Sequence, residues 1–189
     1  MKQNKNIAIF ASGNGSNFEA IAQACAENRL NAQVTLLVCD NPNAFVIQRA
    51  KKFDIPIFEF QPKNYVSKAE YETEIVQILK KHDVDLICLA GYMRLVSDVL
   101  LNVYENKIIN IHPSLLPAFK GLNAIEQAFK YGVKITGVTT HFVDKTMDGG
   151  KIIDQVAVST ENYTLEELEN RIHTAEHELY IKTIASFRT

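Results

Sequence analysis

The sequence predicts an α/β fold: a doubly wound, mostly parallel, Rossmann-like sheet with an antiparallel addition toward its C-terminal end. Three observations predict it. Short, continuously apolar runs such as Ile7–Ala11 and Leu86–Ala90 recur along the chain, as strands buried on both faces require. Stretches with apolar residues three and four apart follow them, as helices covering a sheet do. Late in the chain, Lys134–Val143 and Lys151–Ser159 are two strand-like runs with no room for a helix between them, which pairs them antiparallel.

Taken in order, Ile7–Ala11 is a strand closed by Ser-Gly-Asn-Gly, and Ser16–Glu27 is a helix through Phe18, Ile21, Ala22 and Cys25. Val34–Cys39 is the second strand, Ala44–Phe53 a helix stopped near Pro56, and Ile57–Phe60 a short third strand. Ser67–Lys81 reads as a long amphipathic helix through Tyr71, Ile75, Ile78 and Leu79. Leu86–Ala90 is a strand, Val99–Val103 a short helix, Lys107–His112 a strand ended by Pro113, and Asn123–Tyr131 a helix stopped by Gly132. After the two antiparallel runs, a last helix, Leu165–Phe187, puts Leu165, Leu168, Ile172, Ala175 and Leu179 on one face. With no linker-like stretch and no internal repeat, the expectation is a single domain over residues 1–189.

Composition excludes several function classes. Hydrophobic residues are 47% and charged residues 22% of the chain, the balance of an ordinary globular protein. Twenty basic against twenty-two acidic residues leave a net charge of -2, so a general nucleic-acid footprint is not expected, and any anion must be held locally. No apolar run reaches membrane-spanning length, and Met1–Asn6 leads into a strand rather than a signal core, so no membrane partner and a cytoplasmic location are expected. Cys25, Cys39 and Cys88 lie far apart in apolar or helical stretches and read as buried free thiols. His173 and His177, four apart on the last helix, have no third ligand indicated, and no metal is expected; with Glu176 and Tyr180 they form a polar stripe suited to a ligand.

Two segments carry chemistry. The loop Ser12-Gly13-Asn14-Gly15-Ser16-Asn17 ends at a helix start, where free N–H groups and the helix dipole favour a phosphate. Phe18 stands where a dinucleotide fingerprint needs its third glycine, leaving a monophosphate site or a plain turn capped by Ser16. In Asn110-Ile111-His112-Pro113-Ser114-Leu115-Leu116-Pro117, Asn110 and His112 leave one face of a strand at its carboxyl end, where open α/β sheets bind ligands. They are either satisfied structural groups or a catalytic pair. Asp148, before Gly149 and Gly150, is the favoured carboxylate partner for His112; its alternative role is capping its own turn. The rival pair His141 and Asp144 lies three apart, on opposite faces of a strand.

Ser-Gly-Asn-Gly-Ser-Asn at 12–17, Ala-Gly-Tyr-Met-Arg-Leu at 90–95, Asn-Ile-His-Pro-Ser-Leu-Leu-Pro at 110–117 and Met-Asp-Gly-Gly at 147–150 resemble, in order and spacing, the phosphoribosylglycinamide formyltransferase family, from Ile7 to about Tyr180. The resemblance implies formyl transfer from 10-formyltetrahydrofolate, a co-substrate, to the amine of glycinamide ribonucleotide, with no metal. It assigns the ribonucleotide to Gly15, Ser16, Asn17 and Glu176, and the folate to Lys68, Met93, Arg94, Leu95, Val96 and Asn110. The family's catalytic Asn, His and Asp fall on Asn110, His112 and Asp148. Lys68 stands where relatives often have Arg, losing a bidentate fork, and His173 where they often have Gln or Lys.

That reaction builds negative charge on the formyl oxygen, which Asn110 and a protonated His112 would meet as donors, each such donor being worth about 3 kcal/mol or more. Proton transfer then passes through His112 or a water held by Asp148. Among related enzymes, a deformylase would carry an added N-terminal domain, and a methionyl-tRNA formyltransferase a C-terminal domain and a basic surface; residues 1–6 and the net charge favour neither. A non-catalytic nucleotide-binding module would keep the loop without needing Asn110, His112 and Asp148 together. A monomer or weak homodimer is expected.

Overall fold

In the computed structural model, which describes residues 4–187, the runs read as strands form one seven-stranded sheet. Residues 1–3 and 188–189, included in the expected domain, lie outside the described residues. The elements are β1 (Lys5–Phe10), α1 (Ser16–Ala26), β2 (Ala32–Cys39), α2 (Val46–Lys52), β3 (Ile57–Glu59), α3 (Lys68–Lys81), β4 (Leu86–Leu89), α4 (Asp98–Val103), β5 (Ile108–His112), α5 (Ala124–Tyr131), β6 (Ile135–Phe142), β7 (Ile152–Ser159) and α6 (Leu165–Ser186). The expected elements are all present, with ends moved by one or two residues. A short 3-10 turn at Pro62–Asn64, which periodicity does not reveal, is added.

The strand order is β3-β2-β1-β4-β5-β6-β7. Pairing is parallel from β3 to β5, then antiparallel for β5 with β6 and β6 with β7, so the late runs extend the sheet as expected. Alternate residues of β1 serve two cores: Ile7 and Ile9 pack with α1, α2, α5 and α6, while Ala8 and Phe10 pack with α3 and α4. A strand covered on both faces has no polar side to show, which is why its sequence does not alternate.

Local signals fix the helix starts. Ser67 caps α3 by accepting from the Glu70 N–H at 3.2 Å. Thr164 and Glu167 exchange hydrogen bonds in a capping box that starts α6. The face of α6 then buries Leu168, Ile172, Leu179, Tyr180 and Ile184, and the Tyr180 hydroxyl reaches the carbonyls of Leu89 at 2.8 Å and Ile109 at 3.1 Å. That contact pins α6 to β4 and β5, the strands that lead into the polar residues described next.

Cys39 and Cys88 are buried, Cys25 is partly so, and all three are free thiols. Burial pushes the Cys25 thiol up to about 11 and the Cys88 thiol upward as well, which suppresses the nucleophilic thiolate. No helix among the described residues is long and apolar enough to cross a membrane.

Candidate active site

The chain runs outward from β1 to β2 and β3, then returns to place β4 on the other side of β1, which makes a topological switch at the carboxyl ends of β1 and β4. Open α/β sheets bind ligands at such a crevice. A cavity of about 660 Å³ lies there, lined by residues 13–17 after β1, 89–96 at and after β4, Asn110–Pro113, Gly121–Glu126, His141, the turn around Asp148, and Glu169, His173 and Glu176 of α6.

The first loop is built to leave backbone donors free. Gly15 sits at the start of α1 in the left-handed region, φ 77°, and no side chain caps the helix. Ser16 is therefore the first helical residue and not the cap, correcting the alternative of a turn closed by Ser16. A Cβ at Gly15 would lie 2.5 Å from the Val46 Cβ, so the loop packs against α2 only because the residue has no side chain. Arg49 of α2 holds Asn14 from outside, its Nε and Nη2 donating to the backbone and side-chain oxygens at 2.9 Å each. Asn17 is buried, and its Oδ1 has no partner among the described residues. Gly15→Ala should raise the KM for a phosphorylated substrate at least about tenfold, because both the strain of a positive φ and the Val46 contact displace these N–H groups. Steady-state kinetics checks it; a normal KM would remove the loop from the binding site.

Asn110 and His112 do share a face of β5, and both line the cavity. His112 Nε2–H donates to the Phe119 carbonyl at 2.8 Å, and Nδ1 lies 3.5 Å from Asp148 Oδ1. Asp148, φ 46°, is anchored at its other oxygen by the Gly121 N–H at 2.6 Å. Both atoms facing the ring are acceptors, so the doubly protonated imidazole satisfies both. Asp148 therefore does not merely cap its own turn: it joins residues 119–121 to the ring. Asp144 does cap its turn, taking the Thr146 N–H at 2.7 Å and hydroxyl at 2.6 Å, and these bonds hold its carboxyl below the usual range.

His141, which the sequence offers only as a rival partner for Asp144, belongs to the site through Asn110. It stands directly across from Asn110 in the β5–β6 register and is buried. Its Nδ1–H donates to the Phe142 carbonyl at 2.8 Å, so Nε2 carries the lone pair and accepts an Asn110 Nδ2–H at 3.1 Å. This fixes the orientation of the Asn110 amide and leaves its second N–H for a ligand. Only the strand register reveals the pair; spacing along the chain does not.

The loop after His112 is clamped from below. Thr139 Oγ1 accepts the Leu116 N–H at 3.0 Å and donates to the Ser114 carbonyl at 2.7 Å, while Gln155 Nε2 donates to the Leu116 carbonyl at 3.0 Å. Leu116–Pro117 is the cis peptide of this turn. On α6, Glu176 is buried and accepts from His173 Nδ1 at 2.8 Å; that bond holds the His173 imidazole above its usual range. Burial pushes His177 in the opposite direction. Among the described residues no group of side chains is arranged to hold a metal.

Met93, Arg94, Leu95 and Val96 line the cavity, but Lys68 does not: its ammonium donates to the Leu95 carbonyl and lies 3.8 Å from Glu72. Reaching a ligand carboxylate requires Lys68 to leave that carbonyl. Arg94 Nε is likewise engaged, with Asp40 Oδ2 at 2.5 Å.

Residues 5–184 match the family model described as formyl transferase. The phosphoribosylglycinamide formyltransferase of Bacillus subtilis is 55% identical over 95% of this chain and 93% of that protein. The trifunctional purine biosynthetic protein adenosine-3 of Homo sapiens is 36% identical over 95% of this chain but 18% of its own length. The crystal structure of glycinamide ribonucleotide transformylase 1 from Geobacillus kaustophilus superposes with a TM-score of 0.92 and 53% identity, covering 96% of this chain and 97% of that one.

Proposed function

The chain belongs to the formyl transferase family, and we propose that Asn110, His112 and Asp148 are the groups through which it carries out that chemistry. It transfers a formyl group from 10-formyltetrahydrofolate to the amine of N1-(5-phospho-beta-D-ribosyl)glycinamide, giving the N-formyl product and tetrahydrofolate, in de novo purine (IMP) biosynthesis. The observation that carries the residue assignment is the convergence of an amide, an imidazole and a carboxylate on one cavity, with the acid 3.5 Å from the ring.

A neutral amine attacking the formyl carbon leaves negative charge on the formyl oxygen. The free Asn110 N–H, held in place by His141, is a fixed donor to that oxygen. His112 becomes the second donor when Nε2–H exchanges the Phe119 carbonyl for it, a change confined to the loop that Asp148 tethers through Gly121. Catalytic hydrogen bonds commonly tighten only with substrate in place. The amine gives up one proton and the departing folate nitrogen takes one, so the reaction needs a relay and no net acid or base; of the imidazoles lining the cavity, His141 is committed to Phe142 and Asn110 and His173 to Glu176, and His112, backed by Asp148, serves as the relay. Gly15, Ser16 and Asn17 hold the phosphate and Glu176 a ribose hydroxyl, supported by the uncapped helix start and the buried carboxylate. Met93, Arg94, Leu95 and Val96 hold the folate, with Asn110 at its formyl group and Lys68 at its carboxylates. A single domain over residues 1–189, a cytoplasmic location and a monomer or weak homodimer belong to the same proposal.

The test is the absorbance change on forming tetrahydrofolate, measured with and without glycinamide ribonucleotide. Turnover that depends on the amine is expected; release of formate without it would make the enzyme a hydrolase.

A further inference from the structure

Asp40 follows the last residue of β2 and belongs to no motif, yet its side chain is 6% exposed and both its oxygens are occupied. Ser12 Oγ donates to Oδ1 at 2.5 Å, and Arg94 Nε donates to Oδ2 at 2.5 Å. Ser12 opens the phosphate loop and Arg94 belongs to the folate segment. The same Ser12 hydroxyl accepts the Met93 N–H at 3.0 Å, and the Ser12 N–H donates to the Gly91 carbonyl at 3.1 Å. Asn41, the next residue, donates to the Ser12 carbonyl at 3.2 Å. The loops after β1 and β4 flank the switch in strand order, and a buried carboxylate just past β2 ties their side chains together beyond those direct bonds.

We propose that Asp40 is a positioning residue, a strut that fixes the folate segment relative to the ribonucleotide loop; this rests on the assignment of those two segments above. An ionised carboxylate accepting two short bonds is the strong form of such a contact. Both donors are on loops; without Asp40 the Ser12 hydroxyl still meets the Met93 N–H, but the Arg94 guanidinium loses this tie to the β1 side of the switch. Arg94 is partly exposed, so its cation is not stranded in a dry interior when Asp40 is removed, and the fold survives.

Asp40→Asn keeps the shape but offers one acceptor where two are needed. It should raise the KM for 10-formyltetrahydrofolate about 10- to 100-fold, the worth of one charge-assisted hydrogen bond, with kcat within about threefold of the parent. A protein that is merely destabilised loses active molecules, which lowers kcat at unchanged KM. Asp40→Ala should be at least as severe in KM, and Ser12→Ala should raise the KM for both substrates. Combining Asp40→Asn with Arg94→Met should be no worse than the more damaging single change, because both break the same bond. Both KM values within about twofold of the parent in Asp40→Asn, a loss seen in kcat alone, or effects of Asp40→Asn and Arg94→Met that multiply would each overturn the strut. A parent enzyme showing no amine-dependent turnover would instead overturn the functional reading, and the strut with it.

Discussion

His112→Ala lowers kcat by about a thousandfold while both KM values stay within a few-fold of the parent. The size follows from what the ring supplies. One preorganised donor at a developing oxyanion is worth about 10²–10³ in rate, and a positioned proton relay about 10²–10⁴. The contributions overlap in one side chain, so the loss lies between one minimum alone, about 10², and the product of the two minima, about 10⁴, and about a thousandfold is the expected size. KM is spared because the residues assigned to the ribonucleotide lie at the β1 loop, the start of α1 and α6, and those assigned to the folate on the β4 loop, α3 and Asn110 of β5, none of which uses the ring as a partner. The change does free the Phe119 carbonyl and the Asp148 Oδ1, and that loosening belongs to the loop over residues 119–121. His112→Asn, which keeps a donor, controls for it by recovering part of the rate. Single-turnover formyl transfer with both substrates saturating is the measurement. Turnover within tenfold of the parent would leave the ring a structural group, the reading that its bond to Phe119 alone would support.

Much of this site is legible in the sequence because its chemistry is local. Asn110 and His112 share a face through strand pleating alone, and Gly13 and Gly15 announce a loop in which the backbone, not side chains, meets the ligand. What is not legible comes from pairing across the sheet. His141 orients Asn110 because the β5–β6 register sets them opposite, and a shift of one residue would turn either side chain to the other face. Asp40 meets Ser12 and Arg94 across 28 and 54 residues of chain, and nothing in Cys39-Asp40-Asn41 sets that acid apart from a solvated turn residue. The alternative of a cap at Ser16 fails for a different reason: serine is a favoured cap, but Gly15 reaches the left-handed region and takes the position one residue earlier. Lys68 is assigned to the folate by the resemblance alone, and its contact with the Leu95 carbonyl, 27 residues on, is set by the packing of α3 against the β4 loop and not by spacing.

Asp148→Asn provides the matching test on the acid, and asparagine is the right replacement on backbone grounds. Asp148 holds φ 46°, a region that asparagine tolerates and alanine resists. The amide oxygen can still accept the Gly121 N–H, so the loop keeps its tether, and the amide NH2 then faces His112 Nδ1. A donor in that position demands a lone pair on Nδ1. The ring is held neutral with its proton on Nε2, and the charge that should meet the formyl oxygen is gone. When an acid that orients a catalytic histidine becomes an amide, the loss in other enzymes is about 10⁴ in kcat at intact geometry. About 10³–10⁴ is therefore expected here, with both KM values and the melting temperature near the parent's. Asp148→Ala removes the tether as well, so its loss in kcat should come with a raised KM and a lower melting temperature. If the two variants lose the same rate and both lose stability, the carboxylate acts by holding the Gly121 loop; a fall in kcat confined to the asparagine variant's unchanged fold assigns it to the charge beside His112.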